Sequence, residues 1–446
     1  MTTEARAASS RIALACGTMT TLVAGSLLGA LLGYTQKLSC SSGGAWNNFV
    51  SQFRDNCYTD IYPLYYGEGL SSHKVPYLGH PVEYPVLIGW MMEAAAWFVR
   101  GVHDAYSAGQ DFYYVTVVML GLCLVAGVLA TAYAAGPDRR WQALMVALSP
   151  ALIVGAYINW DLLAMALTAC GMAAWAARKP ALAGALLGLA VAAKFYPLLI
   201  FGALFLVCLR AGRLRAFGTS LVAGVVAWLI VNLPIAIAAP AGWGRFYAFS
   251  RSRGADWGSI WYLFEHYNVP GLGTTSLSSL NVISSGTFIV LAAAIALLTL
   301  RAPRRPRLPQ VAFLLLAAFL ISNKVWSPQY VIWLVPLAVL ARPRFWPYVL
   351  WQLAELAYFF GIWQYFVNMY AAPGGITAAW YFATLIARLG TVALLAAYVV
   401  NDILHPERDV ARRNGIDDPA GGVLNGAPDH FRLASLRPVL SQGLSA

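Results

Sequence analysis

Residues 12–34 and 217–239 each run without one charged side chain. A helix needs roughly 20 apolar residues to cross a bilayer. In lipid only helices and closed barrels satisfy their own backbones. A barrel strand alternates apolar and polar positions, and these runs do not. The expected fold class is therefore all-α, a polytopic transmembrane helical protein. Composition extends this to the whole chain. Of 446 residues, 59% are hydrophobic and 11% charged, against about 45–50% and about 25% in soluble domains. A soluble globular enzyme, a disordered chain and a small disulfide scaffold are excluded. The runs add up to about a dozen spans.

Further runs cover 82–99, 112–135, 141–157, 161–177, 181–193, 197–209, 217–239, 284–300, 310–322, 328–341, 345–365 and 376–400. Residues 1–402 are expected to form one transmembrane domain, with outer-loop helices in a first outer loop at 35–81 and a long one at 240–283. Residues 403–446, rich in Gly, Pro and charge, read as a disordered cytoplasmic tail. Basic connections at Arg139-Arg140, Arg178-Lys179, Arg210 to Arg215, Arg301 to Arg307 and Arg342 to Arg344 read as cytoplasmic. The net charge of +11 thus records topology and calls for no nucleic acid. Counting every run as a crossing leaves the Arg-bearing tail outside. Either 82–99 is re-entrant, which keeps the rule, or Arg139-Arg140 breaks it. No repeat of fixed period is visible.

Cys16, Cys123, Cys170 and Cys208 lie in apolar runs, where cysteine serves packing. Cys40 and Cys57 share the first outer loop, in a compartment that permits disulfides, so a bridge between them is expected.

Ionisable groups at membrane depth are costly and tend to be functional. Glu93, Asp161, Glu355 and Arg388 lie inside apolar runs, and Lys194 and Lys324 at outer ends. The densest polar cluster runs from Cys57 through Asp60, Tyr62 and Tyr65 to Glu68, with Lys74, Glu83 and Tyr84 beyond it. Rings stack on sugar C–H faces and carboxylates accept sugar hydroxyls. An interfacial aromatic belt has the same composition. Other outer turns carry Asn159-Trp160-Asp161, Lys194-Phe195-Tyr196-Pro197, and Lys324 with Trp326 and Gln329. The long loop adds Arg251, Arg253 and His266. Converging cations would suit a phosphate or an anionic headgroup. Snorkelling to lipid phosphates is their plainer use. No metal site and no cofactor are expected, since the histidines are scattered and no Gly-rich phosphate loop adjoins a strand.

The run from Cys57 to Tyr65, Glu83-Tyr84-Pro85, Asn159-Trp160-Asp161 and Ala193 to Pro197 resemble actinobacterial members of glycosyltransferase family 87, in the GT-C superfamily. The resemblance extends over about 12–400. It implies a polyprenyl-phosphate sugar donor at the outer leaflet of the plasma membrane, and a catalytic carboxylate in the first outer loop, at the position of Asp60. Mannose transferred to an envelope glycolipid or glycan is the expected reaction. Mannosyltransferase relatives often open the second run with Tyr-Pro-Pro, where this chain has Tyr84-Pro85-Val86. An arabinofuranosyl transfer is the alternative within the superfamily. A flippase for lipid-linked sugars is the alternative outside catalysis, and it would spread charges through both leaflets. On the catalytic reading Lys194 and Lys324, with Arg251 or Arg253, would steady the leaving phosphate.

Overall fold

The computed structural model describes residues 3–101, 104–273, 276–371 and 373–433. The side chain of Cys16 and residues 434–446 of the expected tail lie outside what is described. The described residues are mostly helical, with no β-strand among them. The helices used below are α1 (Thr3–Thr35), α2 (Ile61–Gly67), α3 (Val86–Val99), α4 (Ala105–Ala135), α5 (Asp161–Ala176), α6 (Pro180–Ala193), α7 (Leu198–Arg210), α8 (Leu214–Ala238), α9 (Pro240–Ser252), α10 (Ile260–His266), α11 (Leu277–Arg301), α12 (Leu308–Ser322), α13 (Val331–Ala341), α14 (Phe345–Met369) and α15 (Ala378–Leu404). The long loop therefore holds α9 and α10, and it ends earlier than expected because Ser276 caps α11, accepting from Ser279 N.

Two kinds of apolar helix occur among the described residues. Five segments, among them α8, α11 and α15, are long and apolar enough to cross a membrane. α12 and α13 span only 15 and 11 residues. Nearly every α12 side chain and every α13 side chain is buried in protein. Such short segments are tolerated at membrane depth because other helices, and not lipid, surround them. α6 and α8 touch through small residues. A Cβ on Gly184 would sit 1.9 Å from the Ser220 carbonyl oxygen, and one on Gly188 2.1 Å from that of Gly224. This small-xxx-small spacing on both helices lets two backbones meet.

The loop after α1 and the start of α4 share one end of the bundle, where Gln110 Nε2 donates to Ser41 O at 2.5 Å. α4 finishes at the other end, against Pro419. α3 leaves from Pro85 and precedes α4 in the chain. Arg139 follows α4 at this other end, where its Nη1 donates to Val410 O at 3.2 Å.

The second end corrects the expectation of a disordered tail. Residues 404–433 are laid across it and held by carboxylates. Arg307 Nε pairs with Asp409 at 2.7 Å, Arg305 with Asp417 at 2.9 Å, and Arg210 with Asp429 at 2.6 Å. Trp175 Nε1 donates to Gly421 O at 2.9 Å. Composition hides this order, because the apolar burial it lacks is replaced by charge pairing to arginines at helix ends. Removing one partner of a buried pair costs about 3–5 kcal/mol, whereas replacing both can be neutral. Asp409→Ala is thus expected to lower the melting temperature in detergent, and Asp409→Ala with Arg307→Met to recover most of it.

Candidate active site

Asp60 is placed by backbone anchors. The Cys40–Cys57 disulfide ties the loop after α1. Lys37, buried beneath it, donates from Nζ to Tyr58 O at 2.8 Å. Thr59 Oγ1 donates to Tyr157 O at 2.7 Å, and Asp60 N to Ile158 O at 2.7 Å. These bonds seat the loop on the turn before α5, with Asp60 at the N-terminal edge of α2. Its carboxylate accepts from the Tyr58 hydroxyl at 2.6 Å and from that of Tyr84 at 3.4 Å. Trp363 stacks on Tyr58 at 4.6 Å. Burial raises the Asp60 carboxyl to about 6, although the Tyr58 hydrogen bond and the Lys194 charge pull it down.

Opposite stands a lysine held by a carboxylate. Asn159 Oδ1 accepts from Asp161 N at 3.0 Å. Asp161, at 0% exposure, lies 2.9 Å from Lys194 Nζ. Lys194 ends α6 in extended conformation and sits over the ring of Tyr84 at 4.8 Å and of Tyr330 at 5.9 Å. Burial alone would lower the Lys194 ammonium, but Asp161 reverses this and holds it raised. Tyr196 stacks on Trp333 at 4.7 Å, and its hydroxyl meets Thr168 at 3.0 Å.

A third wall comes from two irregular segments, 253–259 and 323–330. Arg253 pairs with Asp256 at 2.9 Å. Lys324 Nζ donates to Arg251 O at 3.1 Å and to Arg253 O at 2.5 Å. Its ammonium is thus engaged in fastening the two segments together. Between these walls lies a cavity of about 740 Å³, lined by Asp60, Glu83, Tyr84, Asn159, Lys194, Tyr196, Arg253, Asp256, Lys324 and Gln329 among others. Phe195, Phe246, Phe249 and Phe319 give it an apolar side.

Several expected residues stand elsewhere. Tyr62 stacks on Trp46 at 4.7 Å and Tyr65 on Phe112 at 4.8 Å. Pro63 and Leu64, three and four positions after Asp60, line the cavity in their place. Helix geometry puts those positions on the face of Asp60 and turns Tyr62 and Tyr65 away. Glu68 sits behind Glu83, whose backbone N–H reaches it at 3.5 Å, and burial raises it to about 7. Lys74 and the Arg251 side chain are exposed. His266, also exposed, rests on Phe382 at 4.4 Å. Trp326, at 0% exposure, lies behind the cavity wall. Asp161 is likewise behind the lining, paired with Lys194, which lines the cavity. Sequence reading missed Tyr58, Asp256 and Tyr330. The Arg253-to-Asp256 spacing of three was the available signal for one of them.

Residues 104–328 match glycosyltransferase family 87, just over half of the chain. The chain belongs to glycosyltransferase family 87. No curated protein matches it. In this membrane glycosyltransferase the matched residues include Asn159, Asp161, Lys194, Arg253, Asp256 and Lys324, while Asp60, Glu83 and Tyr84 precede them. The loop after α1 thus brings its carboxylate to a wall that the family match covers.

Proposed function

We propose that this enzyme transfers mannose from a polyprenyl-phosphate donor to an envelope glycolipid or glycan, on the extracytoplasmic side of the plasma membrane. The observation that supports this most is one cavity holding a half-buried Asp60 carboxylate together with Lys194 and Arg253. Asp60 takes the proton of an acceptor hydroxyl as general base. The oxygen attacks the anomeric carbon, the bond from that carbon to the phosphate oxygen breaks, and its electron pair leaves with the phosphate. Lys194 meets the charge that grows there, while Arg253 holds the phosphate equally before and during the transfer. The phenyl rings along one side give a prenyl chain an apolar path. The donor class and the sugar rest on the family resemblance. A flippase would use charges along the whole path; here the buried arginines at the second end are closed by tail carboxylates.

The deciding experiment incubates purified protein and acceptor lipid with polyprenyl-phosphate mannose and, separately, polyprenyl-phosphate arabinose. Free polyprenyl phosphate and a glycosylated product from the mannosyl donor alone are expected. Product from the arabinosyl donor alone would move the enzyme to the pentose class, and product from neither would overturn the reading. The pH profile gives a second check. With Asp60 raised to about 6, the base form is lost as pH falls through that value. The rate is expected to rise with an acid limb near pH 6.

A further inference from the structure

The Glu355–Arg388 pair is a buried charge pair that the proposed catalysis leaves unused. Arg388 is 0% and Glu355 2% exposed, and neither lines the cavity. Burying such a pair is expensive. Arg388 Nε donates to Glu355 Oε2 at 2.9 Å, Nη1 to Trp326 O at 3.0 Å and Nη2 to Ser327 O at 3.2 Å. Its guanidinium lies between the rings of Trp326 at 4.3 Å and Tyr358 at 4.2 Å. Trp351 Nε1 donates to the other Glu355 oxygen at 3.0 Å.

We propose that Glu355 and Arg388 are positioning residues for the cationic wall of the cavity, setting affinity for the phosphate-bearing donor without touching it. This rests on the reading of the site given above. The two carbonyls that Arg388 holds belong to an irregular segment with no helix to satisfy them. Two residues before Trp326, Lys324 grips the carbonyls of Arg251 and Arg253, and its own carbonyl accepts from Asp256 N at 2.8 Å. At Gly258 a Cβ would lie 1.9 Å from Trp326 O, so the two segments are in direct backbone contact. A shift of residues 324–327 therefore moves Arg253. A planar guanidinium serves two carbonyls and a carboxylate at fixed angles; an ammonium cannot.

The full-length purified protein is compared with Arg388→Met, Arg388→Lys and Glu355→Gln. Donor KM and kcat are measured, together with amide hydrogen exchange. For Arg388→Met, KM is expected to rise about tenfold or more with kcat held within about threefold, as loss of uniform binding requires. Arg388→Lys falls between. Exchange across 324–330 accelerates about tenfold, while that of 404–424 stays unchanged. A fall in kcat at constant KM, equal behaviour of the Lys and Met variants, or unchanged exchange at 324–330 overturns the proposal. If Arg388→Met does not fold, Glu355→Gln decides it: it keeps Arg388, and a KM increase of about threefold supports the role whereas an unchanged KM overturns it. If the wild type turns over no polyprenyl-phosphate sugar, the proposed function fails, while the exchange measurement still decides whether this pair holds the wall.

Discussion

Replacing Asp60 with asparagine is expected to slow sugar transfer by about 10²–10⁴-fold, the usual contribution of a positioned general base. Asparagine keeps the size of the side chain and can still accept from the Tyr58 hydroxyl, which lies 2.6 Å away. The loop stays seated, since its anchors are the Thr59 hydroxyl and the Asp60 backbone. Melting temperature and binding of polyprenyl phosphate should therefore match the wild type. The acid limb near pH 6 should vanish along with the rate. Tyr58→Phe gives a graded companion. Its hydroxyl stabilises the charged carboxylate, so its loss raises the Asp60 pKa and moves the limb to higher pH. An asparagine variant that transfers at the full rate would remove Asp60 from the base role.

The second large effect concerns Lys194 and Asp161, where charge and stability separate. Lys194→Met is expected to lower kcat by about 10²–10³-fold, the scale found when one group facing developing negative charge is removed. Asp161→Ala should act mainly on folding. It leaves a buried ammonium without its carboxylate, at a cost of about 3–5 kcal/mol. Lys194→Met combined with Asp161→Leu takes both charges out together. That double variant should regain the melting temperature lost in Asp161→Ala but none of the activity. Thermal melting in detergent and release of polyprenyl phosphate read the two effects separately. A double variant with restored activity would show that Lys194 serves packing alone.

The two ends of the molecule differed in how much the residues disclosed. Runs free of charge marked nearly every helix, because lipid tolerates little else. Asp60 and Arg253 were visible as charges in the expected loops, and Glu83, Asn159, Lys194 and Lys324 as charges or amides near the ends of apolar runs, and all six line one cavity. What stayed hidden depends on direction. Tyr62 and Tyr65 share the cluster of Asp60, yet the turn of α2 points them at Trp46 and Phe112. Lys324 looked like a free cation, but it spends its ammonium on two carbonyls. The tail looked unstructured because its order rests on partners about 100 or more residues away, such as Arg307 for Asp409, and no local pattern encodes those.

The carboxylates that neutralise Arg210, Arg305 and Arg307 all come after α15 in the chain. During synthesis these arginines leave the ribosome and reach the bilayer with no acid to meet them. Until the last segment emerges, they must stay hydrated, so α7, α12 and the turn between α11 and α12 cannot settle at final depth. Biogenesis therefore ends with a locking step, and a nascent chain stalled just after α15 should be the species that quality-control proteases degrade.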